Sequence, residues 1–132
     1  PEKILFKSFK FLKNDLIHNC EMIIYLLENF TNFPLENEHL NINQSNKIQN
    51  GIDILFTHSN HAIGNIFTSY IYHLYNNESN FKYIAYKMVH PLKTEMIITI
   101  GLDNTENINA DILHIFNNIK NIFENMNISN FI

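Results

Sequence analysis

The chain has 132 residues, of which 45% are hydrophobic and 17% are charged, a balance typical of one globular domain rather than a disordered chain. The net charge is −4 and all nine basic residues are lysine; this disfavours a dedicated nucleic-acid binder, which usually carries a basic patch with arginine. The single cysteine, Cys20, excludes an intrachain disulfide and a thiolate zinc cluster. No apolar run reaches the roughly 20 residues that span a bilayer, so we expect no membrane association.

Apolar side chains recur at steps of three and four in the first thirty residues and predict an amphipathic helix over about residues 3–30. Pro34 prevents any continuation of this helix. The spacing places Cys20 within the apolar stripe, so we expect a buried thiol rather than a reactive one. The full stripe, widened by Ile17 and Ile24, is Leu5, Phe9, Leu12, Leu16, Cys20, Ile23, Leu27 and Phe30.

A polar, Asn-rich segment over residues 31–50 follows, and we interpret it as a connector with a short strand near residues 40–42. Alternating apolar residues then predict a strand over residues 52–57. A glycine corner comes next, with the sequence Asn60-His61-Ala62-Ile63-Gly64-Asn65. Because a glycine in a helix costs up to about 1 kcal/mol relative to alanine, Gly64 predicts that another group comes close to it. Ser59 and Asn60 are both candidate caps for the helix that begins here.

Two helices and two strands complete the prediction. A helix is expected over residues 62–75, with Ile63, Phe67, Tyr70 and Leu74 on its apolar face. Strands are expected over residues 81–89 and 94–102, joined by a hairpin at residues 91–93. The last helix should open at Thr105, and its apolar face comprises Ile108, Ile112, Ile115, Ile119, Ile122 and Met126, extended by Phe116 and Phe123.

These elements predict an α+β fold, in which a two-layer β-α-β-β-α domain is preceded by a long amphipathic helix. The strand–helix–strand unit should cross over right-handed if its two strands are parallel neighbours. One small sheet cannot easily bury the long stripes of both terminal helices. We therefore expect the two stripes to be covered by each other or by a partner.

Histidines raise the question of a metal site or an enzyme. His58 and His61 are three residues apart, with His73 and His90 as further candidates, but no H-E-x-x-H pattern or cysteine pair supports a metal. Asp53 with either of the first two histidines could form a base and its orienting partner, with Ser59 or Thr57 as the nucleophile. No G-x-S-x-G context is present. We predict no catalytic residue, no metal site and no cofactor.

Aromatic side chains on the strand over residues 81–89 give a second functional hypothesis. Phe81, Tyr83 and Tyr86, with Lys82 and Lys87 nearby, could stack bases on a sheet face. Packing within the sheet is the more common role of aromatics at this spacing. A small nucleic-acid-binding α+β module is therefore kept as the alternative function.

The glycine corner, a helix, and then Ala85-Tyr86-Lys87-Met88-Val89-His90-Pro91 before a strand together resemble the small alpha-like subunit of multisubunit RNA polymerases. Its relatives are the eleventh subunit of RNA polymerase II, archaeal subunit L and the bacterial alpha amino-terminal domain. The matching residues are His61, Ile63, Gly64, Asn65, Tyr86, His90 and Pro91. Asn60, Ala62 and Ala85 depart from the acidic residue, Thr and Gly of the family pattern. The resemblance covers roughly residues 50–126.

The resemblance implies a non-catalytic subunit of a DNA-directed RNA polymerase, which forms a platform for the large catalytic subunits. It gives the matching residues the role of an assembly motif near the platform surface. It gives the last helix a pairing role toward a larger alpha-like subunit or a second copy, with no direct nucleic-acid contact.

The first helix is longer than the lead-in of the small subunit and resembles the closing helix of the larger alpha-like partner. We therefore divide the chain into that helix (1–33), a connector (34–50) and a small alpha-like domain (51–132). The implied helix-pairing interface consists of Leu5, Phe9, Leu12, Leu16, Ile23 and Leu27 with Ile108, Ile112, Ile115, Ile119, Ile122 and Met126. The composition, rich in Asn, Ile and Lys without Arg, is that of AT-rich genes. It favours the cytoplasm, for a virus or a cytoplasmic plasmid, over the nucleus.

Overall fold

The computed structural model describes residues 2–90 and 92–127, with side chains described from Lys7 onward. Its elements are α1 (Glu2–Asn29), β1 (Leu35–Glu36), β2 (Leu40–Gln44), β3 (Gly51–Phe56), α2 (His61–Tyr75), β4 (Phe81–Met88), β5 (Met96–Leu102) and α3 (Ile108–Glu124). The prediction of an α+β fold is confirmed: three helices accompany a five-stranded sheet in which all neighbouring strands are antiparallel. No helix in the described part of the chain combines the length and apolarity needed to cross a membrane.

The sheet has the order β1-β2-β3-β5-β4, so β5 lies between β3 and β4. Since β3 and β4 are both antiparallel to β5, they run parallel to each other without pairing. The crossover through α2 therefore does not join neighbouring strands. The sequence had left open whether the two strands are neighbours. In consequence β4 forms one edge of the sheet, next to α2.

One face of the sheet carries the core, because its strands alternate between buried and accessible positions. Ile54 of β3 pairs with Ile42 of β2 and with Ile98 of β5, and all three are fully buried. The intervening positions Asp53 and Thr99 face the other side and are only half-buried. The helices thus cover one face, and we call the other the open sheet face.

The segment predicted as a connector contributes two strands to the sheet. β1 and β2 form a hairpin with Leu35 opposite Ile42, and β2 continues into a second hairpin with β3. Leu35, Leu40 and Ile42 are buried in the same core as the helices. Only the strand near residues 40–42 was expected; the rest of the connector assignment differs from the structure.

The two terminal helices pack against each other in antiparallel orientation. In the first half of α1, Lys13 Nζ donates a hydrogen bond of 3.0 Å to the carbonyl of Met126, just beyond the end of α3. At the other end, Asn109 Nδ2 lies 3.5 Å from the carbonyl of Phe30. The long stripes of α1 and α3 are therefore covered within one chain, one of the two arrangements that the sequence allowed.

Phe67 of α2 lies at the centre of the core. Its ring is 6.0 Å from Phe56 of β3 and 6.0 and 5.7 Å from Phe116 and Phe123 of α3, measured between ring centroids. The predicted face of α2 is correct except at its end, where Tyr75 is buried and Leu74 is exposed. The predicted start of α3 at Thr105 is three residues too early, since the helix begins at Ile108.

Candidate functional site

The first part of the candidate assembly motif, His61 to Asn65, lies at the start of α2, just after β3. Asn60 has extended backbone angles and its Oδ1 accepts a hydrogen bond of 3.0 Å from the amide of Ile63, which satisfies one of the free amides of the first turn. Asn60 is therefore a true N-cap. Ser59 is not: its hydroxyl oxygen is buried and has no hydrogen-bond partner among the described residues, while its amide donates to the carbonyl of Thr94 at 2.8 Å.

Gly64 allows a close approach of side chains from β4 and β5, as its position in the sequence predicts. A methyl group at this position would lie 2.5 Å from Cδ2 of Tyr86 and 2.8 Å from the sulfur of Met96. The backbone of Gly64 does not have a positive φ, so space rather than conformation requires the glycine. The helix can therefore lie directly on the aromatic ring of Tyr86.

His61 provides the second contact between the same two parts of the chain. Its Nδ1 lies 3.1 Å from the phenolic oxygen of Tyr86, and the two rings meet edge to face with centroids 5.8 Å apart. Tyr86 thus touches Gly64 with its ring and His61 with its hydroxyl group. The structure brings together the two sequence segments on which the resemblance depends. We call the set of residues His61, Ile63, Gly64, Asn65, Tyr86 and His90 the assembly corner.

The tip of the β4–β5 hairpin follows directly after His90 of the assembly corner and is exposed to solvent. The amide of Val89 donates to Glu95 at 2.9 Å, and the amide of Lys93 donates to His90 at 3.1 Å. Pro91 lies outside the described residues. His90 and Asn65 are exposed, Ile63 is buried, and Leu92 is 92% exposed. An apolar side chain with so little cover is notable at the tip of a well-formed hairpin.

The residues of the predicted helix-pairing interface are used inside this chain. Leu16, Ile23, Leu27, Ile112, Ile115, Ile119 and Met126 are buried, and Phe9, Leu12, Ile108 and Ile122 are partly buried against the same core. The side chain of Leu5 lies outside the described residues. Phe30, the last residue of the predicted stripe, is exposed.

The histidines that were considered as metal ligands or catalytic groups form other contacts in the described residues. A cleft of about 450 Å³ beside the corner is lined by His18, His39 and His58 among others. His58 Nδ1 lies 3.0 Å from the hydroxyl of Thr94, which itself donates to the carbonyl of Thr57. A hydroxyl has one hydrogen, so His58 must donate from Nδ1 and keeps Nε2 as an acceptor when neutral.

The described residues form neither a metal cluster nor the suggested pair of a general base and its orienting carboxylate. Within residues 2–90 and 92–127, no three His, Cys, Asp or Glu side chains come together in a way that could hold a metal ion. Asp53 accepts a hydrogen bond of 2.6 Å from Thr99 on the open sheet face. Asp53 is thus not paired with His58 or His61, which form their hydrogen bonds with Thr94 and Tyr86.

A second surface was missed by the sequence reasoning. On the open sheet face, Lys47 and Lys87 line a hollow of about 200 Å³ together with Ile48, Tyr83, Ala85, Tyr86, Ile97 and Thr99. The available signal was a pair of glycines, Gly51 and Gly101, which stand opposite each other in β3 and β5. Glycine inside a strand often marks the close approach of another group.

Comparison with known proteins gives no relative: no family model matches the chain, and no curated protein matches it.

Proposed function

We propose that this chain is a non-catalytic assembly subunit of a DNA-directed RNA polymerase, an alpha-like platform on which the large catalytic subunits assemble. The observation that carries the proposal is the contact of Tyr86 with both His61 and Gly64. These residues belong to the two segments of the family pattern, and their meeting gives that pattern a structural reason. The order β3-α2-β4-β5-α3 is the β-α-β-β-α order that the apolar pattern predicted, and we propose that it corresponds to the small alpha-like domain.

The antiparallel pair of α1 and α3 supports the fused form of this proposal. In the family, the pairing joins two alpha-like subunits through their long helices. Here one chain supplies both helices, and their stripes share one core. We propose that α1 takes the place of the closing helix of a larger alpha-like subunit. A separate subunit of that kind, or a second copy, would then bind elsewhere than on the two stripes.

The assembly corner is the surface that we propose meets the large subunits, because its rim combines exposed polar and apolar groups. Asn65 and His90 are exposed, and so is Leu92 at the tip of the hairpin that follows His90. The proposal includes transcription in the cytoplasm, with the nucleus as the alternative. A nucleic-acid-binding module has less support: of Phe81, Tyr83 and Tyr86, Tyr83 alone is exposed, and Lys82 is paired with Asp103 at 3.1 Å.

The test is to recover the tagged chain from its native host and to identify co-purifying proteins by mass spectrometry. The proposal expects subunits of the size and sequence of the two large polymerase chains, in stoichiometric amounts and together with RNA synthesis activity. The variant Asn65→Arg/Leu92→Asp should lose them, whereas Asn117→Arg on the exposed face of α3 should keep them. A chain that purifies alone, or a corner variant that assembles normally, would refute the proposal.

Substitutions in the predicted helix-pairing stripe would not serve this purpose. Ile115 and Ile119 are buried within the chain itself. Aspartate at either position would place a charge in an apolar core and unfold the domain. Loss of assembly in such a variant would follow from unfolding alone, so the exposed residues of the corner give the sharper test.

A further inference from the structure

The hollow on the open sheet face is formed by a loop that folds back over the strands. The connection between β2 and β3 turns at Ser45, whose hydroxyl accepts from the amides of Lys47 and Ile48 at 3.2 and 3.4 Å. Asn50, with φ of 58°, closes the turn in the left-handed region, where asparagine is better tolerated than most residues. The loop thus has its own hydrogen bonds and a defined path.

Ile48 fixes the loop to the sheet because two glycines leave room for it. A methyl group on Gly51 would collide with Cγ1 of Ile48, and one on Gly101 would lie 3.2 Å from its Cδ1. Gly51 and Gly101 are directly paired across β3 and β5. This apolar contact holds the neighbouring Lys47 over the open sheet face, where it shares the hollow with Lys87 of β4.

Lys47 and Lys87 line the same hollow, and Lys47 affects the pKa of Lys87. The pKa of Lys87 is lowered, first by hydrogen bonding to Lys47, then by the like charge of Lys47 and by partial desolvation, while Asp53 acts in the opposite direction. Neither ammonium group forms an ion pair within the part of the chain that the structure describes, in contrast to Lys82 with Asp103. Asp53 offsets only part of the repulsion between the two lysines, and an anion between their ammonium groups would remove the rest.

We propose that this hollow binds an acidic segment of a partner protein, with an Asp or Glu carboxylate bridging Lys47 and Lys87 and an adjacent apolar side chain resting on Ala85 and Ile97. A carboxylate has two oxygens and can accept from both ammonium groups at once. The apolar floor of the hollow suits a peptide, which presents alternating side chains. This proposal stands independently of the proposed polymerase role, since the residues that it uses, Lys47, Lys87, Ala85 and Ile97, belong neither to the assembly corner nor to the helix pair.

Charge favours a protein carboxylate over a nucleic-acid phosphate at this site. The net charge of −4 and the nearby Asp53 repel a polyanion such as a nucleic acid more strongly than a short peptide with few carboxylates. Two lysines neutralise few phosphates, whereas nucleic-acid binding gains most of its affinity from many such contacts. Two lysines are, however, sufficient to select one carboxylate in an otherwise weak, peptide-sized interface.

The experiment is a titration of the full chain at low salt with the peptide acetyl-Glu-Leu-Glu-Leu-Glu-amide, followed by NMR of the lysine side-chain ε-carbons. We expect saturable shifts at Lys47 and Lys87 and a rise in the pKa of Lys87 when the peptide is bound. Lys47→Gln and Lys87→Gln should each weaken binding by about fivefold, which corresponds to about 1 kcal/mol. Lys82→Gln is the matched control on the same strand, and its affinity should be unchanged.

Three results would overturn the proposal. The first is unchanged peptide affinity in Lys47→Gln and Lys87→Gln. The second is equal binding of acetyl-Gln-Leu-Gln-Leu-Gln-amide, which lacks the charges. The third is tighter binding of single-stranded oligodeoxythymidine than of the acidic peptide at the same lysines, which would assign the hollow to nucleic acid. Circular dichroism of each variant establishes that the fold is kept.

Discussion

His61 at the start of α2 and Tyr86 in β4 are 25 residues apart in the chain, and the imidazole Nδ1 of the first lies 3.1 Å from the phenolic oxygen of the second. The same tyrosine ring lies over Gly64, one helical turn further along α2. The contact sets the position of α2 on the edge strand of the sheet. It also explains why one short segment carries a histidine and a glycine at this spacing.

Gly64→Ala should destabilise the protein. The added methyl group would meet the Tyr86 ring and the Met96 sulfur at 2.5 and 2.8 Å; the thioether can move, but the ring is held by His61. We expect a loss of about 1–3 kcal/mol in the free energy of unfolding, typical of overpacking, despite the higher helix propensity of alanine. Urea unfolding followed by circular dichroism measures the change.

The neighbouring Asn65→Ala is the control for this prediction, because Asn65 is exposed on the next position of the same helix. Its effect should stay within about 0.5 kcal/mol. In the double variant Gly64→Ala/Tyr86→Ala the clash with the ring is absent and only the movable Met96 thioether remains close, so the two changes should be strongly non-additive. Additive effects would show that Tyr86 does not require the glycine.

α1 should behave as part of the core and not as an appended helix. Leu16 is fully buried whereas Phe11, five residues earlier, is 74% exposed. Leu16→Ala should therefore cost about 2–5 kcal/mol, the range for a large core residue, while Phe11→Ala should stay within about 0.5 kcal/mol. Thermal or urea unfolding compares the pair; similar small effects would mean that α1 is only loosely attached to the sheet and α3.

The Cys20 thiol should be inert in the folded protein. Cys20 is fully buried on the stripe of α1, and burial raises its pKa far above the ordinary value, an effect that the nearby Lys120 only partly opposes. Because the thiolate is the reactive form, alkylation should be slow in buffer and fast in urea. Rapid modification of the native protein by iodoacetamide would contradict this placement.

The raised pKa of Cys20 also gives a pH dependence with a definite sign. The folded state disfavours the thiolate, so stability is fully present below the pKa of the unfolded thiol, about 8.5. It is lost as the pH rises above that value, because the unfolded chain then releases a proton that the folded chain retains. Cys20→Ala should abolish this contribution, which urea titrations at pH 7 and pH 10 would measure.

The terminal helices could be predicted from sequence because a regular three-and-four spacing over many turns is typical of an amphipathic helix and of little else. The stripe through Leu16 and Ile23 predicted α1 to within a residue or two of its observed bounds, Glu2–Asn29. The shorter elements were harder. β1 has only two residues, too few to show an alternation, whereas Leu40 and Ile42 were sufficient to indicate a short strand at β2.

The positions of elements far apart in the chain could not be predicted from local sequence patterns. Nothing in β3 or β4 alone specifies that β5 lies between them, since the pairing depends on which strand edges remain available after collapse. The approach of a side chain to Gly64 was predictable, because glycine in a helix is costly. The meeting of Lys47 and Lys87 was not, because it depends on the path of a loop that the sequence suggested only as a connector.

Tyr75 should titrate at higher pH than an exposed tyrosine, and Asn118 should limit the shift. Tyr75 is buried at the end of α2, and Asn118 Nδ2 donates a hydrogen bond of 2.7 Å to its phenolic oxygen. Burial is the main cause that raises the pKa of Tyr75; the Asn118 hydrogen bond lowers it and the charge of Glu78 raises it. Asn118→Ala should therefore raise the pKa of Tyr75 further, since the phenolate loses its donor.

NMR of tyrosine labelled at the ζ-carbon separates Tyr75 from the other tyrosines, with Tyr75→Phe to assign the signal. The folded state holds the proton more tightly than the unfolded chain, whose tyrosine pKa is about 10. Stability from this group is thus fully present below about pH 10 and falls above it, more steeply in Asn118→Ala. Glu78→Gln, which removes a charge that raises the pKa, should shift it in the opposite direction; a pKa of Tyr75 that moves with neither variant would contradict the geometry at this end of α2.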